Sequence, residues 1–281
     1  SSYAANWDKH FLMTCDIDMT DITGFTPIGR GDKDFTGVFD GGGFAILNLV
    51  INLPEEPVGL FTVVNNGIIR NLGLEGGAFT GWGVAPLICS SSNSTIASCY
   101  STADVTGNNC GGLLGSIYDC TVLDCFSTGA VMAKETAGGL VGAVNYNLTG
   151  VMARCYATGN VSGTLYTGGL IGFNLFNSVD GVGPAVLDCY ATGAITGVTY
   201  VGGLIGYNGR GCSVSDCHAT GAVCGTEPVG GLCGFNSEAE FMRCYATGEV
   251  TGQTNVGGLV GLNVNRGIVD TCFSTGNVRG E

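Results

Sequence analysis

The sequence predicts an all-β chain folded as one parallel β-solenoid (β-helix) of about ten rungs, with about 28 residues per coil and three short strands in each. Three observations carry this. A near-repeat headed by cysteine recurs as Cys99-Tyr-Ser-Thr, Cys125-Phe-Ser-Thr, Cys155-Tyr-Ala-Thr, Cys189-Tyr-Ala-Thr, Cys217-His-Ala-Thr, Cys244-Tyr-Ala-Thr and Cys272-Phe-Ser-Thr. All but the last run on to a Gly-Gly-Leu-x-Gly block. The apolar positions between are short, β-branched and broken by glycine, and none holds helical periodicity for three turns. Helical repeats of this length exist, but such a density of Gly and Val would cost each helix several kcal/mol, about 1 for every Gly.

Within a coil, the first apolar position lies three residues before the cysteine, at Ile96, Val122, Met152, Val186, Val214, Phe241 and Val269. Two residues after it the side chain is always small, at Ser101, Ser127, Ala157, Ala191, Ala219, Ala246 and Ser274. Six after it stand Val105, Val131, Val161, Ile195, Val223, Val250 and Val278. Carried upstream, the register takes in Leu12, Cys15 and Ile17, then Ile46, Leu49 and Ile51, then Ile69, Leu72 and Leu74. Rungs at ~4.8 Å make a rod of about 45 Å. Residues 1–281 read as a single domain, with divergent coils over 1–95 and regular repeats over 96–281, the last copy incomplete.

Composition narrows the function. With 45% hydrophobic and 12% charged residues the chain is not disordered, and 50 glycines without a triplet period exclude collagen. A net charge of −13 without a basic stripe argues against nucleic acid or an anionic membrane as partner. No run of 18 apolar residues is present, so membrane insertion is not expected. The opening Ser1-Ser2-Tyr3 suits a mature or excised fragment.

Of the fourteen cysteines, Cys15 and the seven of the repeat fall on the inward column and read as a ladder of small buried hydrophobes. Cys89, Cys110, Cys120, Cys212, Cys224 and Cys233 lie off it and are the better candidates for local cross-links. With no Cys-x2-Cys pair and only His10 and His218, no metal site is assigned.

The glycine blocks are Gly111-Gly-Leu-Leu-Gly115, Gly138-Gly-Leu-Val-Gly142, Gly168-Gly-Leu-Ile-Gly172, Gly202-Gly-Leu-Ile-Gly206, Gly230-Gly-Leu-Cys-Gly234 and Gly257-Gly-Leu-Val-Gly261. They resemble the GLUG motif of large secreted and surface proteins of bacteria and archaea, and Phe25-Thr-Pro-Ile-Gly29 and Gly59-Leu-Phe61 look like that family's first coils. The resemblance implies a right-handed parallel β-helix on the cell exterior, often a spacer or adhesive stalk and sometimes beside a peptidase domain. No peptidase motif is present. From the residues alone, Leu113, Leu140, Leu170, Leu204, Leu232 and Leu259 would fill a second core face, and Asn174, Asn208, Asn236 and Asn263 would stack at a turn.

No catalytic, cofactor-binding or metal residue is assigned, and the chain is read as no enzyme. A polysaccharide lyase or hydrolase is the outside alternative, because Asp124, Asp188 and Asp216 precede ladder cysteines and glycosidic cleavage needs two carboxyls about 5–10 Å apart. Arg154 and Arg243 occupy the same column, so alternating surface charge explains it more simply. The residue after each cysteine, Tyr100, Phe126, Tyr156, Tyr190, His218, Tyr245 or Phe273, should face outward as a stripe that either stacks on itself or meets a glycan or surface protein. The Thr column from Thr102 to Thr275 reads as corner hydrogen bonding rather than an ice-binding array. Sequons stand at Asn93, Asn147 and Asn160. The expectation is a secreted or cell-surface structural rod or filament subunit that associates end to end, with a carbohydrate-binding adhesin module as the alternative.

Overall fold

The computed structural model describes residues 6–31, 33–146, 150–176 and 185–280, and the Asn147 sequon lies outside them. Described strands pair in parallel throughout, and no α-helix occurs among the described residues. Each coil feeds four sheets, not the three strands expected. Thr95–Ala97 enters the first sheet, Tyr100–Ser101 the second, Asp104–Gly111 the third and Leu114–Tyr118 the fourth. The first and second sheets each hold ten strands, which puts ten rungs in register. The extra face comes from the double glycine. A Cβ on Gly111 would collide with the Leu114 carbonyl oxygen, and one on Gly112 with that of Gly139 in the next coil. Gly-Gly therefore makes a corner between the third and fourth sheets by close backbone approach, not by left-handed conformation.

The left-handed corner lies elsewhere and is filled by other residues. Asn71, Ser98, Asp124, Arg154, Asp188, Asp216, Arg243 and Thr271, each one residue before the inward column, have φ between 51° and 57°. That conformation costs a non-glycine residue about 1–2 kcal/mol. The following cysteine bonds both sides of the corner. The Cys99 thiol donates to the Ala97 carbonyl (3.3 Å), Cys189 to Leu187 (3.1 Å) and Cys217 to Ser215 (3.1 Å). In return the Cys155 and Cys189 N–H groups donate to the sulfur of the next rung, each at 3.3 Å. The ladder cysteine is thus a buried hydrogen-bonding group as well as a small hydrophobe.

Cys99, Cys125, Cys155, Cys189, Cys217 and Cys244 are fully buried thiols with no disulfide between rungs, and Cys272 on the last rung is half-buried. Cys89, Cys110, Cys120, Cys212 and Cys233 are buried and Cys224 is exposed; no disulfide joins them, contrary to the local cross-links expected. Burial pushes the Cys89 thiol up to about 11 and Cys110 up to about 12. The leucine column is fully buried from Leu113 to Leu232, and Leu60 and Leu87 extend it upstream.

Two upstream assignments are corrected. Ile46 pairs Ile17 and Leu74, which puts it two residues past the cysteine position, where Phe44 stands. Leu49 falls level with Ala103, because Val50 and Asp104 both pair Ala78. In the first coil Phe11, not Leu12, continues the Phe39–Ile69–Ile96 column, and Leu12 and Cys15 are exposed. Residues Gly41 to Gly43 lengthen the corner of the second coil, and Phe11 stands four residues before Cys15 where regular coils have three, so an apolar spacing of three and two fits two registers.

Candidate binding surfaces

The residue after each cysteine forms one continuous stack. Successive rings from Tyr100 to Phe273 lie 4.7–5.2 Å apart and within 9° of parallel. Parallel in-register strands leave no other geometry for flat side chains on neighbouring rungs. Both faces of each interior ring are covered by other rings, so only edges meet solvent. His218 fits between Tyr190 and Tyr245, and burial pulls its pKa down.

The pre-cysteine column is a run of cross-rung ion pairs. Arg154 reaches Asp124 with two bonds of 2.6 and 2.8 Å, and Arg243 reaches Asp216 at 2.7 and 2.6 Å. The bonded guanidinium holds each of these two carboxyls below the usual carboxylate range. A general acid for glycoside cleavage needs the opposite shift. One position earlier in the coil, level with Ala97, Arg70 and Asp40 make a further cross-rung pair at 2.8 Å. Of the Thr column, Thr102 accepts the Gly76 N–H at 2.9 Å, and the column is exposed throughout. At the other sequons, Asn160 accepts the Ala194 N–H at 3.0 Å and Asn93 occupies a left-handed corner.

The asparagines form a buried amide ladder. Asn174 donates to Asn208 (2.8 Å), Asn208 to Asn236 (3.1 Å) and Asn236 to Asn263 (2.8 Å). Asn174, Asn208 and Asn236 are fully buried, so the ladder is structural and faces no ligand. It begins abruptly: Asn174 pairs Val144 below it, and its Oδ1 has no hydrogen-bond partner. Beside the ladder, Tyr166, Phe173, Tyr200, Tyr207 and Phe235 pack with centroids 4.9–5.9 Å apart. Sequence reasoning missed this cluster. Its signal was the aromatic residue one before each of the three buried ladder asparagines, in Gly172-Phe-Asn174, Gly206-Tyr-Asn208 and Gly234-Phe-Asn236.

With the coil geometry defined, the family question has an answer. The GLUG motif model matches residues 197–223 and 252–279, each taking in one Gly-Gly-Leu-x-Gly block and the ladder cysteine after it. This chain carries GLUG repeats. The chain is 35% identical over 122 residues to halomucin of Haloquadratum walsbyi, covering 41% of this chain and 1% of halomucin. It is 36% identical over 86 residues to a Gly-rich membrane protein of Evansella cellulosilytica, covering 28% of this chain and 10% of that one. The chain thus spans only a small part of these relatives' lengths. Among solved structures, a Bacteroides ovatus protein assigned as an immunoglobulin A1 protease has a TM-score of 0.58 at 22% identity, over 95% of this chain and 78% of its own. An IgA1 protease has a TM-score of 0.61 at 15% identity, over 99% of this chain and 22% of its own. At such identity the likeness to GLUG coils is one of fold alone.

Proposed function

We propose that this chain is a length of structural rod, a spacer or stalk segment of a larger secreted or cell-surface protein. The observation that carries the reading is unbroken parallel pairing through ten rungs, in which each coil depends only on its neighbours. Such a body extends by repetition. The relatives agree in kind, since the matched stretches cover only 1% and 10% of far longer proteins, one of them described as a membrane protein. No helix among the described residues is long and apolar enough to cross a membrane.

The final described rung supports association at the end of the rod. Val269 and Val278 are 37% and 46% exposed, and they continue columns that are buried in the regular coils before them. A second copy docked on this rung would cover them by continuing the ladder. We assign the chain no catalysis, because Asp124 and Asp216 of the carboxylate column are each bonded to an arginine, which leaves no pair of free carboxylates on neighbouring rungs there. Duplicating the coil 189–216 tests the rod. The folded product should lengthen by about 4.8 Å between fixed labels, as one added rung requires. A product that misfolds or keeps its original length would overturn the reading. Sedimentation at micromolar concentration reads the end contact separately, and a strict monomer would remove self-association.

A further inference from the structure

An outward column of the fourth sheet changes character along the rod. Val63, Ser90, Ser116 and Ala143 pair in register, and the next members are Phe173, Tyr207 and Phe235. Across the corner the third sheet presents Gly83, Asn109 and Thr136, and then Tyr166. Where both columns are small the corner stays open as a groove of about 400 Å3. Four rungs at ~4.8 Å make its floor about 14 Å long. Trp82 and Tyr118 flank it, 52% and 40% exposed. The next rung closes it with the Tyr166 and Phe173 rings, 4.9 Å apart.

The groove is mainly apolar, with Pro57, Val63 and Val84 beside the two aromatic rings, interrupted by hydroxyl groups and the Asn109 amide, and it is lined by no charged side chain. One of its lining residues, Thr62, is 7% exposed, and its Oγ1 has no hydrogen-bond partner. A buried hydroxyl left unpaired is rare enough in native structures to need an explanation. We propose that this groove binds a linear, neutral oligosaccharide, about three rings long at roughly one ring per rung.

Exposed aromatic faces at Trp82 and Tyr118 suit the apolar faces of sugar rings, and the stacked column from Tyr100 to Phe273 lacks such free faces. Ser90 and Ser116 repeat at the rung spacing, so one pattern of hydroxyl contacts serves successive rings. The uncharged lining and the net charge of −13 disfavour acidic glycans. An extended peptide fits less well, because the strands flanking the groove already pair on both sides and offer no free edge.

Tryptophan fluorescence and calorimetry with cellotetraose, mannotetraose and chitotetraose test this, with trigalacturonate as the charged comparison. At least one neutral sugar should bind and shift the emission, and trigalacturonate should not. Trp82→Ala should weaken binding at least tenfold. So should Ser116→Tyr, which fills the column as Tyr207 does further along; far-UV circular dichroism checks its fold. Tyr190→Ser should leave binding unchanged. The proposal fails if no neutral sugar binds at millimolar concentration, if trigalacturonate binds equally, or if the folded Ser116→Tyr and Trp82→Ala proteins bind as the parent does.

Discussion

Coils up to Ala143–Val144 and coils from Phe173–Asn174 onward share one backbone and differ in what fills one corner. Val144 pairs Asn174 and Ala143 pairs Phe173 without a break in register. Upstream, the inward column reads Val64, Ser91, Ile117, Val144 and the outward one is small; downstream they are asparagine and mainly aromatic. The early coils therefore have a packed apolar interior under an open groove. The later coils have a bonded amide ladder under a filled aromatic corner. The difference teaches that this fold is held by positions common to all regular coils, the glycine corners, the leucine column and the cysteine corner. Other columns are free to change chemistry at a single rung.

Exchanging the two column types should break the comparison in a graded way. Ile117→Asn buries an amide between Val144 and Ser91, whose hydroxyl already bonds the Cys120 thiol, and loses the isoleucine packing, so chemical denaturation should show a loss of about 3–5 kcal/mol. Asn208→Ala cuts the ladder and strands the Asn174 amide and the Asn236 carbonyl, with an expected loss of about 2–4 kcal/mol. Cys189→Ala, which touches what both regions share, should cost about 1–3 kcal/mol through lost packing and thiol bonding.

Val144→Asn sharpens the comparison most. Its side-chain amide would sit one rung below the unpartnered Asn174 Oδ1 and extend the ladder, so its cost should fall to about 1–2 kcal/mol. A cost equal to that of Ile117→Asn would mean that ladder bonding adds nothing. The smallest effect concerns pH. Burial lowers the His218 pKa from 6.5, so as pH falls the unfolded chain takes up that proton first. The contribution is complete above about 6.5 and is lost below it, so stability should decline on acidification. His218→Phe should flatten that part of the profile in denaturant titrations.

The regular coils were legible because their period is written in cysteine, small residue, threonine and Gly-Gly-Leu, each answering to one repeated contact. The cysteine column from Cys99 and the leucine column fall where their spacing put them; the asparagines do stack, but inside the strands of the fourth sheet and not at the turn expected, and Cys15 is exposed. The first two coils misled because their corners are longer, Phe11 standing four residues before Cys15 and Phe39 five before Phe44 where regular coils have three, and apolar spacing alone does not distinguish Ile46 before the inward position from Ile46 after it. The four-sided section was not legible, since a corner made by backbone approach at Gly111 and Gly112 has no side-chain mark beyond glycine itself. The left-handed corner was hidden because Ser, Asp, Arg and Thr alternate there, and only Asp suggests that conformation. The groove is written as an absence of bulk at Ser90, Ser116 and Ala143, which becomes visible only against Phe173 and Tyr207 one and two coils later.

The most direct test of the rod is a series of distances along one column of the first sheet. His10, Thr95, Thr121, Ser213 and Ile268 share that column, so genetically encoded spin labels can pair His10 with each of the others in turn. The separation by pulsed electron resonance should rise linearly with rung number, at about 4.8 Å per coil, and reach about 43 Å at Ile268. A plateau, or a His10–Ile268 distance no longer than His10–Thr121, would contradict the continuous solenoid on which this account rests.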